Sequence, residues 1–425
     1  MAKQVVKSDK LYPVYGPYSH AVRAGDMVFL HGTVGVDAHG RLPGSTAGRT
    51  DMAAQCAQTL ENMHTALELL GGSLHDVVQV RAFLPQHCRP AGQDPPSSSD
   101  VFHDVYRRHF QSPYPARAAI PHGLLLEDLL VEIEAIAVLG RPKRLIESAA
   151  LPPLRLPYSQ GGIQVGNLLF LRGFTAQDRH GELIGPGDMR AQTEQTFANM
   201  AIVLAEAGGT LADLRQTHVT ITDWHDYSVD NAVYNRHVRA PFPTRTTVQG
   251  GLGREGLLIE IESVATLATP RQVIDAAVPQ VGRTILQRRA NVTYSDKLAP
   301  GLASYAYGVR VGDLLYISGQ VSTDAQGRLV GAGDMAVHTR QTLAHLRLVL
   351  ELAGMGMDDV VKTTVMRTDW RYYASYNAVY REPFAPPYPA RSTVCSSLAH
   401  KGLLIAIAAM AVAGASTPAV VATND

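Results

Sequence analysis

The chain has 425 residues, 46% apolar and 18% charged, enough for about three domains that each bury a core without disulfides. Its 38 basic and 38 acidic residues cancel, which argues against an electrostatic footprint for nucleic acid or an anionic membrane. Cys56, Cys88 and Cys395 lack metal spacing and suit a reducing compartment; no signal-peptide core opens the chain and its longest apolar run, Gly402 to Ala415, is too short to cross a bilayer, so a cytoplasmic protein is expected.

Met27 to Leu30 reads as a short strand that stops at His31 and Gly32. From Asp51, apolar residues fall at Met52, Cys56, Leu60, Met63, Leu67 and Leu70, the three-four spacing of an amphipathic helix. Asp51 is placed to cap its free amides, and Gly71 and Gly72 end it. Val77 to Leu84 reads as a strand. His87 to Ser99, rich in Pro and Ser, is a surface loop or a lid. A second helix is expected over about 100–110, then strands from Ala116 to Ile120 and Leu129 to Val138. The order is β, α, β, α, β, β, an α+β pattern with helices on one sheet face.

The same text then returns twice. Asp188-Met189 and Asp334-Met335 reopen the first helix, whose starting methionines read as core. Pro-Ala-Arg at 115–117 becomes Pro-Thr-Arg at 243–245 and Pro-Ala-Arg at 389–391. The closing strands carry Glu132 and Glu134, then Glu260 and Glu262, then Ala406 and Ala408. A period of roughly 130–145 residues exceeds the 20–50 of solenoid repeats and is the size of a domain. Units at 1–140, 155–270 and 291–415 follow, joined by linkers at 141–154 and 271–290.

Pro17-Tyr18-Ser19, Ser318-Gly319-Gln320, Lys362-Thr363-Thr364, Asn377-Ala378-Val379-Tyr380, Pro389-Ala390-Arg391 and Glu132-Ile133-Glu134 resemble the Rid superfamily (YjgF/YER057c/UK114 proteins) along nearly the whole chain. The resemblance implies three tandem chorismate-mutase-like (RidA-type) β-α-β-α-β-β domains. Its members are usually homotrimers with small-molecule sites between subunits, so one chain of three units is expected to form an intramolecular pseudo-trimer, itself monomeric or further assembled. The resemblance further implies cofactor-free hydrolysis of imines and enamines to keto acids and ammonia.

A planar guanidinium grips a carboxylate through paired hydrogen bonds, and the resemblance gives that task to Arg117, Arg245 and Arg391, a neighbouring acid being the plainer partner. A strand carboxylate in an apolar run is costly to bury unless it has a task or a partner. The resemblance assigns Glu132 and Glu260 the attacking water, while Glu134 and Glu262 read equally as interface salt bridges. Tyr18, Tyr158 and Tyr305 line the family's pocket or simply pack. So do His103, Asn231 and Asn377, three residues before a helix tyrosine. Ahead of the glycine stand His31, Arg172 and Ser318, where the family prefers Ser. His31 is a candidate acid or base, and with His20 and His103 a remote candidate for a metal, which needs about three converging ligands. Arg172 would suit a dianionic substrate or plug the pocket. Taken unit by unit, the least altered set is Arg245 with Glu260, Tyr158 and Asn231, and the next is Arg117 with Glu132, Tyr18 and His31. Arg391, in the unit without either acid, is expected to serve a degenerate or binding-only pocket. Rival readings are a specialised catabolic hydrolase or aminomuconate-type deaminase with one optimised pocket, and a non-catalytic small-carboxylate binder. No basic patch or aromatic platform supports a ribonuclease.

Overall fold

The computed structural model describes residues 2–44, 51–85, 98–126, 128–154, 156–276, 292–299, 304–415 and 417–422. Most of the Pro- and Ser-rich insert, and Cys88, lie outside them. Three mixed sheets follow one another along the chain, each covered on one face by two helices. In every unit a hairpin leads into the first long helix, so a strand such as Ala21–Ala24 precedes the first one legible in the sequence.

The helices form where the apolar spacing and caps place them. Met52–Glu68 buries Met52, Cys56, Leu60, Met63 and Leu67. Asp51 accepts the amides of Ala53 and Ala54 at 2.8 and 3.1 Å, and Gly71 leaves the helix at φ 78°, a left-handed turn that costs glycine nothing. Asp188 and Asp334 repeat the cap for Met189–Glu206 and Met335–Leu352. A buried Gln55 then accepts Leu130 N–H at 2.9 Å and donates to Asp128 O at 2.8 Å, fixing the chain two residues ahead of Glu132. Gln192 does the same for Leu258, two residues ahead of Glu260, at 2.8 Å.

Register sets which residues meet within a sheet. Val77–Leu84 pairs in parallel with Ala116–Pro121, placing Val80 beside Arg117, and antiparallel with Glu132–Val138, placing Phe83 beside Glu132. The second and third units repeat this with Thr217 beside Arg245 and Thr363 beside Arg391. The stretches read as linkers also carry strands. Arg144–Ile146 begins the second sheet and Gln272–Ala276 joins the third. Thr417–Ala422 pairs in parallel with Ala2–Val6 and so returns the chain to the first sheet.

The sheets share one apolar core, to which Phe29, Phe170 and Tyr316 contribute one ring per unit. Beside it lies a buried ion cluster. Arg81 pairs with Glu134 at 2.6 Å and with Glu262, and Lys362 pairs with Glu134 at 2.8 Å. The second acid of the first two closing strands, Glu134 and Glu262, is therefore an interface salt bridge. Burial alone would push Glu134 up, but Lys362 and Arg81 bring it down to about 2. Among the described residues no helix is long and apolar enough to cross a membrane.

Candidate functional site

One hydrogen bond recurs at three joints. The amide of Ser159 donates to Pro115 O at 3.2 Å, that of Ala306 to Pro243 O at 3.0 Å, and that of Ser19 to Pro389 O at 3.1 Å. Unit one thus abuts unit two, unit two abuts unit three, and unit three abuts unit one. Each bond brings the arginine strand of one unit against the hairpin and closing strand of the next.

At the first joint Arg117 is buried under Tyr158 of the second unit, 4.6 Å from its ring, and beside Tyr106 at 5.0 Å. Its Nη2 donates to His103 Nε2 at 2.7 Å. Burial and Arg117 itself push His103 down to about 4, so the ring is neutral and accepts. Arg117 Nη1 is buried with no hydrogen-bond partner among the described residues. Facing it, from the second unit, is Glu260, which burial and Glu262 push up to about 8 against the pull of Arg172 and Arg117. Only glycine fits beneath that carboxyl: a Cβ on Gly173 would lie 2.0 Å from Glu260 Oε1. Arg172 is spent on the carbonyls of Gln160 and Gly173, at 2.6 and 2.7 Å.

The joint between the third and first units repeats the arrangement. Arg391 donates to Asn377 Oδ1 at 2.9 Å and stacks on Tyr18, Tyr376 and Tyr380 at 5.0, 5.2 and 4.9 Å. Gly32 N–H donates to Arg391 O at 3.2 Å. Glu132 sits over Gly32, where a Cβ would meet its Oε1 at 1.8 Å. Burial and Glu134 push Glu132 up to about 8, opposed by Lys362, a backbone hydrogen bond from Thr393, and Arg391. His20 Nε2 donates to Tyr12 O at 2.9 Å, which leaves its Nδ1 to accept from His31 Nε2 at 2.7 Å. Burial pushes His20 down to about 4 and His31 further still, so both rings are neutral.

The second joint differs. Arg245 is ion-paired to buried Asp230 and donates to Asn231 Oδ1 at 2.6 Å. Across from it the third unit offers Ala406 where the other joints offer a glutamate, and Gly319 N–H donates instead to Thr246 Oγ1 at 3.0 Å. Ser318 Oγ accepts Arg245 N–H at 3.0 Å and donates to Ala306 O at 2.6 Å, so its hydroxyl serves the backbone. A cavity of ≈ 150 Å³ opens here, lined by Tyr227, Arg245, Tyr305, Tyr307 and Leu403.

These placements correct the unit-by-unit grouping. Glu260 and Tyr158 meet Arg117, not Arg245. Glu132, Tyr18 and His31 meet Arg391, not Arg117. The arginine without an opposing acid is Arg245, because Ala406 lies on its joint, and Arg391 keeps a full set. His20 and His31 share one joint while His103 belongs to another. Asp230 was missed; its signal is an acid where the matching helices carry Phe102 and Tyr376. Arg367 was missed likewise, standing where matching strands end on Leu84 and Ile221.

The sequence relatives match the chain one unit at a time. A family model described as Endoribonuclease L-PSP matches residues 9–139, 149–267 and 296–413. The 3-aminoacrylate deaminase RutC of Acinetobacter baylyi is 34% identical over 29% of this chain and 98% of its own length. A RutC family protein of Pyrococcus horikoshii is 34% identical over 28% of this chain and 95% of its own. A solved putative endoribonuclease of Thermotoga maritima is 36% identical, with TM-score 0.26, over 28% of this chain and 93% of its own. A solved chorismatase, 14% identical, covers 79% of this chain and 93% of its own at TM-score 0.50, a likeness of fold alone.

Proposed function

We propose, from the premise that this chain belongs to the Endoribonuclease L-PSP (Rid) family in all three of its units, that it hydrolyses the C–N bond of a small imino or enamino carboxylate to a keto acid and ammonia. The carrying observation is a buried arginine with no ion-pair partner among the described residues, Arg117 or Arg391, facing a buried glutamate pushed up to about 8 on the next unit. The guanidinium takes the substrate carboxylate, and the water-excluded joint strengthens that contact. A carboxyl that exchanges its proton near neutral pH, Glu260 or Glu132, takes a proton from the attacking water. Water adds to the imine carbon, the C–N bond breaks, and ammonia leaves with the proton returned. The relative named 3-aminoacrylate deaminase acts, by its name, on the enamine of a small acid, which supports this substrate class.

The Arg245 joint reads differently. Asp230 neutralises its guanidinium and Ala406 supplies no acid, so it binds without hydrolysing. The cycle of three joints supports a monomeric pseudo-trimer, expected as a compact 45.8 kDa particle by light scattering; a trimer of chains would count against it. Ammonia release from 2-iminopropionate tests the activity. Arg117→Ala with Arg391→Ala abolishes it, and Arg245→Ala does not. No release by the wild type, or an unaffected double variant, would sink the proposal.

A further inference from the structure

The Val360–Arg367 strand ends on an arginine that no other unit has. Arg367 is 0% exposed. None of its three guanidinium nitrogens has a hydrogen-bond partner among the described residues. Aromatic rings hold it instead: Trp370 at 4.2 Å, Tyr373 at 5.2 Å and Tyr376 at 5.5 Å. Trp370 Nε1 is likewise buried and unpartnered among the described residues. Asp369, two residues on, turns outward to Arg371 at 2.5 Å. Folded proteins leave few such groups unsatisfied, and an uncompensated buried cation is among the most costly. Four unpartnered nitrogens in one shell are all donors, and their complement is an anion with several oxygens. Burial and the neighbouring Arg391 push Arg367 down to about 10; Asp369 feels its charge but makes no ion pair with it among the described residues.

This shell adjoins the joint of the third and first units. Tyr376 lies under Arg391 at 5.2 Å as well as under Arg367. Tyr373 acts electrostatically on Tyr18, the ring that covers Arg391 at 5.0 Å. Two guanidiniums therefore share one aromatic wall, on a joint to which the first unit brings Glu132. The first joint has Leu84 at the matching position, and its extra cation, Arg172, is already bound to carbonyls.

We propose that this pocket is built for a dicarboxylate: Arg391 takes the carboxylate beside the C=N carbon and Arg367 takes the distal one. The substrate role rests on the deaminase reading, whereas the anion subsite does not. The step is unchanged in balance: water adds to the imine carbon, the C–N bond breaks, ammonia leaves, and both carboxylates persist in the 2-oxo dicarboxylate product.

Calorimetric titration of the full chain with succinate and with propionate tests the subsite. Succinate binds more tightly, and Arg367→Met removes about 10- to 100-fold of that preference, the worth of a charge-assisted hydrogen-bonded contact, while propionate binding stays unchanged. Arg172→Met leaves the preference intact. The ratio of kcat/KM for 2-iminosuccinate over 2-iminopropionate falls by the same factor in Arg367→Met. The unliganded Arg367→Met protein melts higher than wild type, because an uncompensated charge has gone. A lower melting temperature with an unmoved ligand preference makes Arg367 a packing residue and overturns the proposal. Succinate binding that depends on Arg367, with no imine hydrolysed, keeps the subsite and discards the deaminase. Hydrolysis of both imines with a kcat/KM ratio indifferent to Arg367 does the reverse. Should Arg367→Met fail to fold, Arg367→Lys, which keeps the charge but loses the planar fork, is expected to lose part of the preference; equal thermal stabilisation of the wild type by succinate and propionate would also refute the subsite.

Discussion

The same substitution at three matching glycines should have two different outcomes. In Gly32→Ala the new methyl would stand 1.8 Å from Glu132 Oε1, and in Gly173→Ala 2.0 Å from Glu260 Oε1. Ordinary contact is near 3.4 Å, so each carboxyl must withdraw by well over an ångström. A misplacement of about 1 Å at a reacting group costs roughly 100-fold. In Gly319→Ala the nearest atom is Thr246 Cγ2 at 3.2 Å, which gives way by a few tenths of an ångström. With two live joints, Gly32→Ala or Gly173→Ala alone removes one joint's share of ammonia release from 2-iminopropionate, and the other joint masks the loss. The double variant drops about 100-fold, and Gly319→Ala keeps the wild-type rate. Crowding a packed site costs about 1–3 kcal/mol, so each damaging variant also melts a few degrees lower. If Gly319→Ala were as inactive as the double variant, or the double variant kept most of its rate, the assignment of Glu132 and Glu260 would fail.

Three further outcomes follow from the buried charges. Glu132 and Glu260 are raised to about 8 in the fold, so their contribution to stability is full below the unfolded value of 4.5 and is lost as pH rises through about 8. The melting temperature of Glu132→Gln with Glu260→Gln should fall less than that of wild type between pH 5 and pH 8, and the wild-type rise of kcat/KM over that range should vanish; an identical pH dependence of melting in both proteins would refute the raised values. Arg81→Met strips Glu262 of its ion-pair partner and leaves Glu134 with Lys362 alone, and should cost about 3–5 kcal/mol in denaturant unfolding, part of it recovered by adding Glu262→Gln; a loss under 1 kcal/mol would show that the cluster holds nothing together. Ala406→Glu and Asp230→Asn lie on one joint and should couple by about 1–3 kcal/mol in a double-mutant cycle, whereas additivity would separate them.

Local structure was legible because local chemistry decides it. The three-four spacing from Met52 to Leu67 and the Asp51 cap define a helix wherever it packs. Side chains on a strand alternate, so the spacing of Glu132 and Glu134 alone puts them on one face of the closing strand. Repetition picked out the arginines, the tyrosines and the residues that hold the guanidiniums, His103, Asn231 and Asn377. Partnership across a joint was not legible. The bond from Ser19 to Pro389 spans nearly the whole chain, and no periodicity records which neighbour a sheet face will meet.

That hidden cycle changes what divergence in the third unit means. Ala406 removes the opposing acid from an arginine in the unit before it, and the compensating residue lies there too. Without an opposing glutamate Arg245 would be a buried cation with no counter-charge, and a charge so placed is strongly destabilising unless paired. Asp230 supplies the pair, on a helix position that is Phe102 and Tyr376 in the two units whose arginines face a glutamate. The lost acid and the gained acid sit in different units but on one joint, so the joint is what diverged. In a trimer of identical chains any such change would appear at every interface at once; in a single chain each joint changes alone. Arg367 belongs to the same logic. It adds a cation to one joint only, and that joint already holds Arg391 and Glu132. The three joints of this chain are thus one neutralised, one that keeps its arginine and glutamate, and one that adds a second charge to them.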